Sequence, residues 1–149
     1  MPKIRTFVDA NVLLAAFQGK DDLSEKAMRI LDDPDREFIV SDYLRLEVLP
    51  KPTFHRRGDE VRFMQEFFES AVVQVSSSSL ITAQAINLAC KYDLRPLDAL
   101  HVGTAVDSKA DETITLDFTS TKLTYTQYDA SGKPVGQTSA EGASVPAIR

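Results

Sequence analysis

Short β-prone runs alternate with helical stretches along most of this chain, and no other feature constrains the fold as much. Residues 4–8, 37–40, 72–75 and 113–116 are rich in Val, Ile, Phe and Thr, the types that suit a pleated, half-buried surface. Between them apolar residues recur at helical spacing: Ala27, Ile30 and Leu31; Val61, Met64, Phe67 and Phe68; Ile81, Ala85, Leu88, Ala89 and Tyr92; Ala99, Val102, Gly103 and Val106. Such spacing places them on one helix face, to be buried against something. Strands joined through helices lie parallel, with the helices covering both faces of the sheet. The expected architecture is a three-layer α/β/α sandwich around a central parallel sheet.

Local signals sharpen the boundaries. Asn11 to Phe17 reads as a first helix closed by Gly19, and Asp22-Leu-Ser-Glu25 has capping-box spacing for a second. Ser41 is placed to cap a third, which Pro50 and Pro52 should stop. Arg95-Pro96 opens the last, whose small residues allow close packing. The 149 residues make one domain's worth of chain, expected to span residues 1–123. Residues 124–137, with Asp129-Ala-Ser-Gly132 as a turn, read as an edge hairpin, and residues 138–149 as a loose tail.

No apolar run approaches the roughly 18 residues a membrane helix needs, and no apolar leader follows Met1. A cytoplasmic location is expected. The single cysteine, Cys90, falls in an apolar helical pattern and is expected to be a buried, inert thiol. The formal charge of −5 disfavours a nucleic-acid partner unless bound cations invert the field that a phosphate would meet. It also leaves room for a basic partner.

Four acids stand where chemistry is done. Asp9 and Asp117 fall at the carboxyl ends of strands, where open parallel sheets bind ligands. Glu47 is set among Leu44, Leu46, Val48 and Leu49, and Asp98 lies in the first turn of a helix. Each has an ordinary structural explanation as a cap, a turn residue, a dipole partner or a solvated side chain. None of these covers all four. Arg45 is two residues from Glu47, a spacing that does not face it on a helix, and Arg95 within reach of Asp98 would not balance four mutually repelling carboxylates. A hard divalent cation would. The segment Lys51-Pro-Thr-Phe-His-Arg-Arg57, joined by Arg62, is the densest basic patch. Lys51, His55, Arg56, Arg57 and Arg62 are therefore the candidates to contact phosphates, with a solvated charged loop as the plainer reading.

These motifs resemble a known family. Thr6-Phe-Val-Asp-Ala-Asn-Val-Leu13 looks like the opening strand and acidic turn of PIN domains. Ser41-Asp-Tyr-Leu-Arg-Leu-Glu-Val48 resembles their second acidic motif, Leu97-Asp-Ala-Leu-His-Val-Gly-Thr-Ala105 the third and Ile114-Thr-Leu-Asp117 the fourth. The resemblance, which spans residues 4–118, implies a ribonuclease of the VapC toxin type that depends on Mg2+ or Mn2+. It also implies an antitoxin partner and a homodimer. Asp9, Glu47, Asp98 and Asp117 would then hold the metal and carry catalysis, with Asn11 and Thr115 supporting them. His101, beside the third acid, is expected to be a core or capping residue rather than a catalytic one. A HAD-like phosphohydrolase also begins with a strand ending in Asp but needs a second Asp two positions later, where this chain has Asn11. A non-catalytic PIN-like interaction module is the other alternative. A flavodoxin-like domain lacks support, since no Gly-rich phosphate loop follows any strand.

Overall fold

Strand β1 (Ile4–Val8) runs into helix α1 (Ala10–Gln18), which ends where Gly19 takes the left-handed conformation, φ 63°. This computed structural model describes residues 2–19, 21–117, 122–129, 131 and 133–141, and the side chains of 138–141 are not among what it describes. Helix α2 (Asp22–Leu31) is capped by Asp21, whose carboxylate accepts from the Ser24 N–H. The cap lies one residue before the expected box, because two adjacent aspartates offer equivalent acceptors. Strand β2 (Arg36–Ser41) leads into α3 (Asp42–Val48), capped by the Ser41 hydroxyl as expected.

The prolines that should only stop α3 also start a further helix. Pro50 occupies the first turn of α4 (Pro50–Phe54), where a missing N–H costs nothing, so much of the expected basic loop is helical. Helix α5 (Gly58–Ser70), the short strand β3 (Val73–Val75), α6 (Ser79–Tyr92) and α7 (Pro96–Asp107) follow. Strand β4 (Glu112–Asp117) and the strands β5 (Lys122–Tyr128) and β6 (Pro134–Glu141) complete the described chain. The hairpin turn is tied by Asp129, whose Oδ1 accepts from the N–H groups of Ser131 and Lys133. Strand β6 continues to Glu141, opposite Lys122, so residues 138–141 extend the sheet where a loose tail was expected. The rest of that tail, residues 142–149, lies outside the described residues.

The strands order as β3-β2-β1-β4-β5-β6, the first four parallel and the last two antiparallel. Alternation of side chains gives the sheet two apolar faces. Val8, Phe38, Val40, Ile114, Leu116, Leu123 and Tyr125 face one core, shared with Leu13 of α1, Ala27 of α2, Leu44 of α3 and Met64 and Phe68 of α5. Phe7 and Ile39 face the other, against Ala105 of α7. Helices therefore cover both faces, giving the expected α/β/α sandwich. Gly103 brings α7 against α6, where a Cβ would stand 3.5 Å from the Ile81 carbonyl oxygen.

At the amino ends of the strands, Glu112 is buried and accepts from Arg36 Nε and the Thr6 hydroxyl, both at 2.8 Å. Arg36 also pairs with Asp33. This buried ion pair locks β4 to β1 and β2. Cys90, by contrast, is exposed. It borders a shallow apolar groove between α6 and α7, with Ile86, Ala89 and Leu100. Helix α6 is apolar around most of its circumference, so its pattern does not reveal which face turns inward.

Candidate active site

The chain leaves β1 to build β2 on one side and returns to build β4 on the other, so the strand order reverses between β1 and β4. A sheet of this kind opens a crevice beyond the carboxyl ends of its strands at that point. Asp9 follows β1 and Asp117 ends β4, so the two flank it.

Asp9 is held on every side. Its N–H donates to the Ile114 carbonyl at 3.1 Å, Oδ1 accepts from the Val12 N–H at 3.1 Å and Oδ2 from the Leu116 N–H at 3.3 Å. It therefore caps α1 and also clasps the end of β4. Asn11 completes the clasp, its Nδ2 donating to the Leu116 carbonyl at 2.9 Å. Both peptide groups of Leu116 are thus fixed by the β1–α1 turn, which sets the position of Thr115 and Asp117 on either side. The amide of Asn11 goes to backbone rather than to Asp9.

A cleft of about 210 Å³ lies between this strand end and α7, with Asp9, Asp98, His101 and Thr115 in its lining and Phe7 and Val102 as apolar wall. Burial pushes the Asp9 carboxyl up to about 7; the Val12 and Leu116 N–H groups resist the rise, Glu47 adds to it and His101 opposes it. Asp98 and His101, three residues apart on α7, share a helix face. From there His101 reaches α3: its Nε2 is 2.8 Å from Glu47 Oε1. An ionised carboxylate only accepts, so Nε2 carries the hydrogen of this bond. The ring packs on Phe7 with centroids 5.4 Å apart, and Nδ1 is buried with no partner among the described residues.

The four acids differ in how closely they approach the cleft. Asp9 and Asp98 line it, and Glu47 reaches it through His101. Asp98 is exposed and, among the described residues, engages in no hydrogen bond or ion pair, so Arg95 does not balance it. Asp117 is exposed at the end of β4, opposite Lys122 in the ladder and outside that lining. Among the described residues no three acidic, His or Cys side chains gather closely enough to hold a metal ion. Thr115 is exposed at the cleft. The His101–Glu47 pair escaped the sequence reading. The spacing Asp98-x-x-His101 sets the imidazole beside the third acid, but no local signal joins it to Glu47 on another helix.

The basic patch runs over α4, the turn after it and the first turns of α5. Lys51, His55, Arg56, Arg57 and Arg62 are all exposed, as is Phe54, whose ring meets His55 edge-on at 5.1 Å. Arg56 takes a left-handed φ of 57° that lets the Arg57 N–H cap the Pro52 carbonyl. Arg57 pairs with Glu60 at 3.3 Å and Arg62 with Asp59 at 3.5 Å, so two of the four Lys and Arg candidates are partly answered by acids of α5.

Solved structures share this fold. A toxin-antitoxin complex from Klebsiella pneumoniae aligns with a TM-score of 0.55 and 16% identity, covering 75% of this chain and 84% of that one. VapBC2 from Rickettsia felis bound to a DNA fragment from their promoter aligns with a TM-score of 0.55 and 11% identity, covering 72% and 84%. At such identity the likeness is one of fold. No curated protein matches the chain in sequence. Among the described residues no helix is long and apolar enough to cross a membrane. The PIN domain family matches residues 6–119, a stretch that holds all four acids and runs from within β1 past the end of β4. By that match the chain belongs to the PIN domain family.

Proposed function

We propose that this chain is a metal-dependent endoribonuclease, the toxin of a type II toxin–antitoxin pair acting in the cytoplasm. The observation that carries the proposal is the Asp9 carboxyl: buried at the switch point of a PIN sheet and pushed up to about 7, with Asp98 lining the same cleft and Glu47 near enough to raise it further. A desolvated carboxylate among other carboxylates is unfavourable as an anion and gains strongly from a cation. The donors are oxygens, which suits Mg2+ or Mn2+. Asp9, Glu47 and Asp98 would hold the ion, with Asp117 completing the set. A bound divalent ion supplies a water of lowered pKa and neutralises charge on phosphate oxygens.

The chain's own residues set the stage for that chemistry. Asp9 keeps its orientation through the Val12 and Leu116 N–H groups, each oxygen retaining a further lone pair. Asn11 fixes the end of β4 and so positions Asp117 and Thr115. Lys51, Arg56 and, in part, Arg57 and Arg62 would contact RNA phosphates, while Phe54 and His55 offer rings to unstacked bases. The structural relatives named as toxin-antitoxin complexes support an antitoxin partner here, and the proposed assembly is a homodimer.

A non-catalytic PIN-like interaction module is the second reading, favoured by the absence, among the described residues, of three acids close enough to share an ion. RNA cleavage by wild type and Asp9→Asn, each with Mn2+ and with chelator, separates the two. Activity only in wild type with Mn2+ is expected. Equal cleavage by the variant would remove the catalytic assignment, and no cleavage in any arm would favour the module.

A further inference from the structure

We infer that His101 is a positioning residue that holds the Glu47 carboxylate at the cleft; the inference rests on the metal-site reading above. Glu47 lies three residues after the buried Leu44 on α3, at the edge of that helix's apolar face, and its side chain is 35% exposed. A glutamate so placed has three side-chain torsions and water to wander in. Among the described residues the single hydrogen bond that restrains it comes from His101 Nε2, on a different helix. His101 is the rigid member of the pair. Its side chain is 9% exposed, packed on Phe7, and set one turn beyond Asp98 on the same face of α7.

The unpartnered Nδ1 sharpens the argument. A residue required only to fill this space would be apolar, because a buried ring nitrogen without a partner is unfavourable. The imidazole therefore earns its place through Nε2. Donation from Nε2 holds for the neutral ring and the charged one alike. By engaging Oε1 alone, His101 leaves Glu47 Oε2 for an ion and ties α3 to α7 across the cleft.

The test is Mn2+ affinity, measured by titration with paramagnetic detection of free ion, alongside the melting temperature of each variant. In His101→Gln the amide nitrogen reproduces a donor near Nε2; in His101→Asn the shorter side chain offers one only near Nδ1. Loss of an outer partner that orients a ligand weakens metal binding by about 10- to 100-fold. That loss is expected for His101→Asn, whereas His101→Gln retains most of the affinity. In a Glu47→Ala background His101→Asn should cost no further affinity, since no carboxylate is left to hold. The inference is overturned if His101→Asn binds Mn2+ as wild type does, if Gln and Asn lose affinity equally, or if Asn costs as much in the Glu47→Ala background. Wild-type protein that takes up no Mn2+ overturns the metal reading itself, and the role of His101 with it.

Discussion

Replacing Asp9 with asparagine isolates the cost of ionising a carboxylate buried at the end of β1. Burial lifts its pKa from 3.8 to about 7, so the folded protein keeps a proton that the unfolded chain has already released. A pKa raised on folding stabilises the native state fully below the unfolded value, and that stabilisation is lost as pH rises toward the folded value. At ~1.36 kcal/mol per unit the whole loss is at most ~4 kcal/mol, of which ~3 kcal/mol falls between pH 5 and pH 8. Asparagine is neutral throughout and escapes it. Its single oxygen, however, satisfies only one of the Val12 and Leu116 N–H groups, and an orphaned buried donor costs about 1–3 kcal/mol. In chelator at pH 8, Asp9→Asn should therefore be more stable than wild type by roughly 1–3 kcal/mol, and at pH 5 level with it or weaker. Urea unfolding at the two pH values measures this. Mn2+ at a hundred times its Kd should then add ~2.7 kcal/mol to wild type alone. A stability difference that does not change between pH 5 and pH 8 would refute the reasoning, because a carboxyl raised to about 7 must release its proton within that window and asparagine has none to release.

Three further outcomes are expected. Glu112→Ala leaves Arg36 short of its most buried partner and should cost about 3–5 kcal/mol by chemical denaturation, with Mn2+ affinity unchanged because the pair lies at the opposite end of the strands. Gly103→Ala meets the Ile81 carbonyl at ordinary contact distance, 3.5 Å, so the gain in helix propensity should prevail and raise stability by up to ~1 kcal/mol; a fall in melting temperature would show that α6 and α7 cannot give even that much. Lys51→Ala and Arg56→Ala should each flatten the salt dependence of RNA binding by about one unit of slope, more than Arg57→Ala or Arg62→Ala, whose charges are shared with Glu60 and Asp59.

The layered fold was legible because its signals are periodic. Phe7 and Ile39 face one core while Val8, Phe38 and Val40 face the other, as a period of two demands. What sequence left open was whatever periodicity does not encode. Asp21 and Asp22 are equivalent caps on paper, and Pro50 is both a stop for α3 and a good first residue for α4. Helix α6 carries apolar residues on nearly every side, so Cys90 reads as buried although it is exposed. At the candidate site the acids were visible as residues, yet their partners were not. Asn11 finds Leu116 and Glu47 finds His101 only because β4 lies beside β1 and α7 beside α3, contacts between positions 105 and 54 residues apart.

That distinction bears on the unfavourable net charge. A charge of −5 spread evenly would repel RNA, but the acids here are sorted by the fold. Some are spent on basic neighbours: Asp33 and Glu112 on Arg36, Asp59 on Arg62, Glu60 on Arg57. Asp9, Asp98 and Glu47 are answered instead by backbone N–H groups, by solvent and by one imidazole. None of these carries the fixed positive charge that an arginine would bring, so the negative charge these acids take on is left for a cation to answer. A site of that kind repels a bare phosphate and attracts a divalent cation, and only with the cation in place does it attract the phosphate. On the proposed reading, the same charge that argues against RNA binding by the chain alone would make RNA binding conditional on metal, so that RNA is expected to bind with Mn2+ and not with chelator.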